Sequence, residues 1–377
     1  MTGAAAPGVQ KLVESIKQEF RPRVIPIKWQ GDRLILLDQR LLPFETRYVE
    51  AKTVSDVADA IRNMVVRGAP AIGIAAAFGM VLALVERDAK SVSEALDALK
   101  GAREVLSRTR PTAVNLFWSL DRMYSRALEL ASRTSHVGEL KEGLEEEARK
   151  IFEEELEAEV RIGVYGAELL EDGDTVLTIC NAGGLATGTG LGTATAPIYV
   201  ARLLGKRVSV IVPETRPWQQ GARLTVYELA VNGVPVTLVA DTAVGFVMYR
   251  RMVSAVIVGA DRILLDGHVF NKIGTLNEAV LAHEFAIPFY VAAPTSTIDA
   301  RSRAADVVVE ERDPDEVRTA MTERGRLYVT LRDVAAYNPV FDVVPPKYVT
   351  GIITERGIAL QPLHRSLQRL LERVRAL

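Results

Sequence analysis

The chain has one cysteine, Cys180, in 377 residues. That excludes an intrachain disulfide framework and a cysteine-built metal site, and it fits a reducing cytoplasm. Histidine is scarce too: His136, His268, His283 and His364 are scattered, with no H-E-x-x-H pair, so no metal is expected. A nucleophilic pair of Cys180 with His268 or His283 stays open, without a local signature to support it. Neither sign of charge dominates; 46 Lys and Arg face 48 Asp and Glu, a net charge of −2. Nothing in that balance calls for nucleic acid or an acidic membrane as partner. The N-terminus lacks a basic segment followed by an apolar one, so no signal peptide is read there. The longest apolar run, AIGIAAAFGMVLALV at 71–85, is interrupted by glycines. It falls short of the roughly 20 residues that a membrane span needs and reads as a buried helix. Few Asn, Gln and Cys beside many Arg and Glu is a composition of heat-adapted proteins.

What is present is a globular composition, 48% hydrophobic and 25% charged, enough for a sizeable core. The first third reads as helices around a small sheet. VIPIKWQGDRLILLDQ gives two short strands about the turn Gln30-Gly31-Asp32. Thr53 or Ser55 caps a following helix, and further helices are expected near 91–107, 112–133 and 137–170. From Asp174 the pattern changes to short apolar runs between helical stretches: DTVLTIC, RVSVIVPE, VPVTLVAD, SAVIVGAD and IPFYVAAP. Runs without polar alternation suit a parallel sheet covered on both faces. ADVVVEER reads as a further strand and LHRSLQRLLERVRAL as a closing helix. The expected fold is therefore α/β. A smaller, mainly helical N-terminal domain with a small antiparallel sheet occupies 1–136, and a Rossmann-like parallel-sheet domain occupies 137–377.

Ligands of open α/β sheets bind outside the carboxyl ends of the strands. Those ends carry Cys180-Asn181, Glu214-Thr215-Arg216, Asp241-Thr242, Asp261-Arg262 and Pro294-Thr295. Asp and Asn also favour turns and caps, but four ionisable exits together point to a polar pocket. The glycines after Cys180 suggest backbone N–H groups gathered for an anion. A dinucleotide fold is the rival. Gly188-Thr189-Gly190-Leu191-Gly192 misses the G-x-G-x-x-G spacing and lies eight residues beyond Cys180.

With Cys180, Asp261 and the Asn271-Lys272 pair in view, the chain resembles the 5-methylthioribose-1-phosphate isomerase family. The motifs that carry the resemblance are RGAPAIG (67–73), RPTAVNL (110–116), CNAGGLATGTGLGTA (180–194), ETRPWQQGARLT (214–225), VGADRI (258–263), NKIGT (271–275), PFYVAAPTSTID (288–299) and NPVFDVVP (338–345). The resemblance implies conversion of an aldose 1-phosphate into a ketose 1-phosphate in methionine salvage, by a cytoplasmic homodimer that needs no cofactor. It implies that Cys180 and Asp261 are the catalytic pair. It also implies that Arg67, Gly68, Ala69, Arg110, Gln220, Asn271 and Lys272 hold the substrate, a phosphorylated pentose.

The chemistry suits those residue types. A sugar with phosphate on its anomeric carbon cannot open to a free aldehyde, so an acid must protonate the ring oxygen. Asp261 lies between AVIVGA and RILLDG; apolar burial there would keep its carboxyl protonated, and Arg262 would oppose this if it faced the same group. Cys180 either moves the C2 proton or stabilises charge while hydride shifts directly. Arg67 and Arg110 match phosphate oxygens; their plain reading is surface ion pairs. Gln220 and Asn271 either bond hydroxyls or cap helices, and Lys272 is a substrate contact or a surface charge. DGHVFNKIGT, with His268 and Phe270, and DTAVGFVM depart from the family pattern and bear on which 5-substituent is preferred. Two alternatives stand beside this reading: a ribose-1,5-bisphosphate isomerase, and a non-catalytic regulatory subunit of translation initiation.

Overall fold

The computed structural model describes residues 7–87, 89–110 and 113–372. Pro111 and Thr112 of the RPTAVNL motif, and the last five residues of the expected closing helix, lie outside that range. Contacts divide the chain into two compact units: Val24–Leu156 with Gly184–Gly192, and the chain up to Arg23 with Glu157–Gly183 and Thr193–Leu377. The division differs from the expected boundary between 136 and 137. The long helix Val137–Ala167 runs unbroken from Leu156 to Glu157, where the units divide, and the glycine-rich segment 184–192 belongs with the helical unit.

Helix α1 (Pro7–Glu19) opens the chain. The helical unit then forms the antiparallel sheet β1 (Ile27–Trp29), β2 (Leu34–Leu37) and β3 (Tyr48–Ala51), followed by α2 (Val54–Arg62), α3 (Ala69–Glu86), α4 (Val92–Ser107), α5 (Val114–Ala131) and the start of α6 (Val137–Ala167). Thr53 caps α2: its hydroxyl accepts from Asp56 N at 3.1 Å, and the Asp56 carboxylate accepts from Thr53 N at 2.9 Å. This reciprocal box satisfies two donors at the helix end. Every residue of α3 from Ala71 to Leu84 is buried. The helix is apolar and long enough to cross a membrane, yet 78% of it is buried inside the protein. It is a core helix, around which α2, α4 and α5 pack.

The second unit contributes β4 (Thr175–Leu177). After the short α7 (Gly184–Thr187) of the helical unit come α8 (Ala196–Leu203), β5 (Ser209–Pro213), a π-turn at Gly221–Thr225, α9 (Val226–Val231), β6 (Val236–Val239), a 3-10 turn at Asp241–Ala243, α10 (Val244–Tyr249) and β7 (Ala255–Val258). Then follow β8 (Arg262–Leu264), β9 (Val269–Lys272), α11 (Thr275–Glu284), β10 (Phe289–Ala292), β11 (Ile298–Asp299), α12 (Asp315–Arg318), the hairpin β12 (Thr319–Thr322) and β13 (Gly325–Tyr328), β14 (Phe341–Val344), β15 (Gly351–Thr354), β16 (Gly357–Leu360) and α13 (Leu363–Glu372). The main sheet has seven strands in the order β16-β15-β10-β7-β4-β5-β6. Six are parallel and β16 is antiparallel. Read outward from β4, chain order runs one way through β5 and β6 and the other way through β7, β10 and β15. This is the doubly wound Rossmann-like order, and its reversal lies between β4 and β7.

One expected strand is absent. ADVVVEER forms only a 3-10 turn and an isolated bridge from Glu311 to Pro339, and Val308 is 91% exposed. The sheet position beside β10 is taken instead by GIIT of β15, a run the sequence reading passed over.

Candidate active site

Cys180 leaves the carboxyl end of β4, half-buried, with φ +60°. A left-handed backbone costs a non-glycine residue about 1–2 kcal/mol, so something must hold it. Its N–H donates to Thr215 Oγ1 at 2.9 Å, and its carbonyl accepts from Thr225 Oγ1 at 2.5 Å. Thr215 is itself left-handed, at φ +62°. The Asp241 carboxylate fixes that turn by accepting from Thr215 N and Arg216 N, both at 2.7 Å. Thr225 lies in the π-turn, whose Gly221 is required: a Cβ there would stand 1.9 Å from the Pro213 carbonyl oxygen. Asn181 is buried and donates to Glu228 Oε1 at 2.6 Å.

Asp261 leaves the end of β7, the neighbour of β4, with Leu177 paired to Val256. The two exits touch: a Cβ on Gly259 would come within 2.6 Å of the Ala182 Cβ. Cys180 and Asp261 therefore share one rim at the point where the strand order reverses. The apolar burial expected for Asp261 is not found; the residue is exposed. Arg262 turns elsewhere and donates to Asp299 at 3.2 Å. Two other charged exits are occupied by structure. Asp241 anchors the Thr215 turn, and Arg216 donates to the carbonyls of Val317 and Thr319. The imidazoles are committed away from Cys180: His268 Nδ1 lies 3.0 Å from Asp266, and His283 meets Tyr348 edge-on.

Three expected substrate residues lie in the same unit. Gln220 is buried, makes no side-chain cap, and its Oε1 has no hydrogen-bond partner. Asn271 is buried on β9 and donates to Thr275 Oγ1 at 3.0 Å. Lys272 is buried rather than a surface charge, with Nζ donating to Val340 O at 3.0 Å and lying over the Phe341 ring. The helical unit holds the rest. Arg67 is partly buried and donates to Gln39 Oε1 at 3.2 Å; Gln39 Nε2 in turn reaches Leu185 O at 2.8 Å. Sequence reading missed Gln39, whose neighbourhood reads as a strand end. Gly68 precedes α3 at φ +95°, and a Cβ there would overlap the Ala186 carbonyl at 2.1 Å, so glycine is obligatory. Ala69 begins α3, and Arg110 lies half-buried between α4 and α5.

A further acid of the second unit, Glu278, one turn into α11, is buried, and neither carboxyl oxygen has a hydrogen-bond partner. Burial pushes its pKa well above the ordinary carboxylate range, and the charges of Asp241 and Asp342 push it further. The start of a helix favours a carboxylate; here desolvation outweighs that.

A doubly wound α/β sheet with a thiol and a carboxyl at its switch point defines a protein that takes a small polar ligand at the strand exits. The chain belongs to the Initiation factor 2 subunit family, whose model matches residues 65–361. A protein of Sulfolobus acidocaldarius, provisionally named a methylthioribose-1-phosphate isomerase, is 58% identical over 95% of this chain and 97% of its own. The methylthioribose-1-phosphate isomerase of Thermotoga maritima is 49% identical over 92% of this chain and 98% of its own. Among solved structures, the 5-methylthioribose 1-phosphate isomerase of Pyrococcus horikoshii matches with a TM-score of 0.87 and 43% identity, covering 99% of both chains. A structure from A. fulgidus described as translation initiation factor eIF-2B, subunit delta, matches with a TM-score of 0.86 and 45% identity over 93% of this chain and 99% of that one.

Proposed function

We propose that this chain is an aldose–ketose isomerase of methionine salvage, converting 5-methylthio-D-ribose 1-phosphate into 5-methylthio-D-ribulose 1-phosphate. The observation that carries the reading is the emergence of Cys180 and Asp261 from neighbouring strands at the sheet's reversal. Asp261 is the acid: it protonates the ring oxygen as the furanose opens with phosphate still on C1. Two routes then conserve atoms. In one, hydride migrates from C2 to C1 while the C2 hydroxyl loses its proton, and Cys180 stabilises the charged intermediate. In the other, Cys180 as thiolate takes the C2 proton to give an enediol monophosphate, and C1 is then protonated as the C2 hydroxyl gives up its proton. Deuterium at C2 distinguishes them: the product retains it after a hydride shift and loses it to water after proton transfer.

Arg67, with Gly68 and Ala69 at the start of α3, and Arg110 are assigned to the phosphate. Arginine pairs phosphate oxygens through two donors at once, and a helix start favours an anion. Gln220, Asn271 and Lys272 are assigned to the sugar hydroxyls, and the unpaired Gln220 Oε1 supports that role. No cofactor takes part. The enzyme is proposed to be cytoplasmic and homodimeric. Exposed Phe246 and Tyr249 of α10, with Val280 of the packed α11, supply an apolar face for a second copy; light scattering measures the dimer.

The A. fulgidus description favours a second reading, a non-catalytic translation-initiation subunit. A binding module has no need to hold its one thiol in a strained backbone. Following ketose formation by NMR, with methylthioribose 1-phosphate and ribose 1,5-bisphosphate supplied separately, decides between these readings. Turnover of neither sugar sinks the enzyme; preference for the bisphosphate transfers the reading to that isomerase.

A further inference from the structure

We propose that Glu278 is a positioning residue for Cys180, acting through Asp241 and the Thr215–Arg216 turn. A buried polar group without a partner is rare in folded proteins, because it loses water and gains nothing in exchange. Glu278 has two such atoms. It also lies within electrostatic reach of two aspartates that both hold backbone. Asp241 accepts from Thr215 N and Arg216 N, and Thr215 Oγ1 accepts from Cys180 N. Asp342 accepts from Gly274 N at 2.7 Å and Leu276 N at 2.9 Å, which fixes the start of α11 beside Asn271 and Lys272.

Neutral Glu278 leaves both anchors in place. Once Glu278 ionises, its carboxylate repels those of Asp241 and Asp342. Asp241 has only backbone donors to retain it, so the turn that carries Thr215 loosens and Cys180 loses the bond on its N–H. Of the other groups near the start of α11, Lys272 holds its cation on Val340 O and over the Phe341 ring. β7 brings no ionisable side chain, β10 brings Tyr290, α10 brings Tyr249, and the turn at Pro346–Tyr348 brings Lys347 and Tyr348. On α11 itself are His283 and Glu284. The charges that act on Glu278 are those of Asp241 and Asp342. The sequence stretch DTAVGFVM, set apart above as unusual, begins with Asp241.

Cys180 is the only thiol in the chain, so alkylation by iodoacetamide reports on it alone. In the full-length wild type the rate should rise with pH in two steps, a first from thiolate formation and a second, several-fold, as Glu278 loses its proton, whichever comes at lower pH. Glu278→Gln should keep the first step and lose the second. A single step in the wild type, or a second step that survives in Glu278→Gln, overturns the proposal. Should Glu278→Gln not fold, the wild type labelled with [13C]glutamate should show the infrared carbonyl band of a protonated glutamate at neutral pH, fading with the second step; no band at neutral pH overturns it. The proposal rests on Cys180 as the working thiol of the isomerase. Because alkylation is read without substrate, its failure and a failure of the turnover assay are seen separately.

Discussion

Cys180 concentrates the argument at the scale of one residue. Its left-handed backbone is held by hydrogen bonds on both its N–H and its carbonyl, and strain retained in this way marks sites where geometry matters. The strain can be measured. Cys180→Gly relieves it and Cys180→Ala does not, so the glycine variant should be the more stable of the two by about 1 kcal/mol in urea unfolding. An alanine variant that matches or exceeds it would show that the backbone is not strained. For the chemistry, Cys180→Ser and Asp261→Asn should each lower kcat by at least about 10², the usual contribution of a positioned proton-handling group, with the melting temperature nearly unchanged. Wild-type turnover in either variant removes that residue from the mechanism.

Among the elements, the reversal between β4 and β7 creates the rim, and its strands were legible because they are buried on both faces and carry unbroken apolar runs. The capped start of α2 at Thr53 and the buried helix at 71–85 were legible for the same kind of local reason. ADVVVEER and GIITERGIAL were not. Both are apolar runs of strand length, and which one lies beside β10 is decided by long-range pairing that no local pattern records. Nor could burial of individual polar groups be read from type: Lys272 and Asn271 lie inside, Asp261 outside, and Arg262 turns to Asp299. The α2 cap separates stability from activity. Thr53→Ala should cost about 1 kcal/mol of stability, the usual worth of an N-cap, with no change in kcat. Gly68→Ala, by contrast, must displace the Ala186 carbonyl and should raise KM for the phosphorylated sugar. An unchanged KM in Gly68→Ala would detach the start of α3 from phosphate binding.

At the level of the whole molecule, nearly balanced charge leaves pH dependence to a few buried groups. Exposed acids such as Asp172, held down to about 2 by hydrogen bonds from Arg207, are common to the wild type and to any Glu278 variant and cancel in a comparison. Glu278 does not cancel. The unfolded chain loses its proton near the ordinary value of 4.5, while the native chain keeps it to a well higher pH. Across that window the native state binds more protons than the unfolded state, so stability falls as pH rises and levels off once Glu278 ionises in the fold. Glu278→Gln has no proton to lose. Whatever fixed difference the amide introduces, the stability of the variant relative to wild type should grow from pH 4 upward, by at most about 1.4 kcal/mol per pH unit. Urea unfolding of both proteins across pH 4 to 9 reads that gap. A gap that stays flat, or that narrows as pH rises, would mean that Glu278 ionises in the native protein at least as readily as in the unfolded chain.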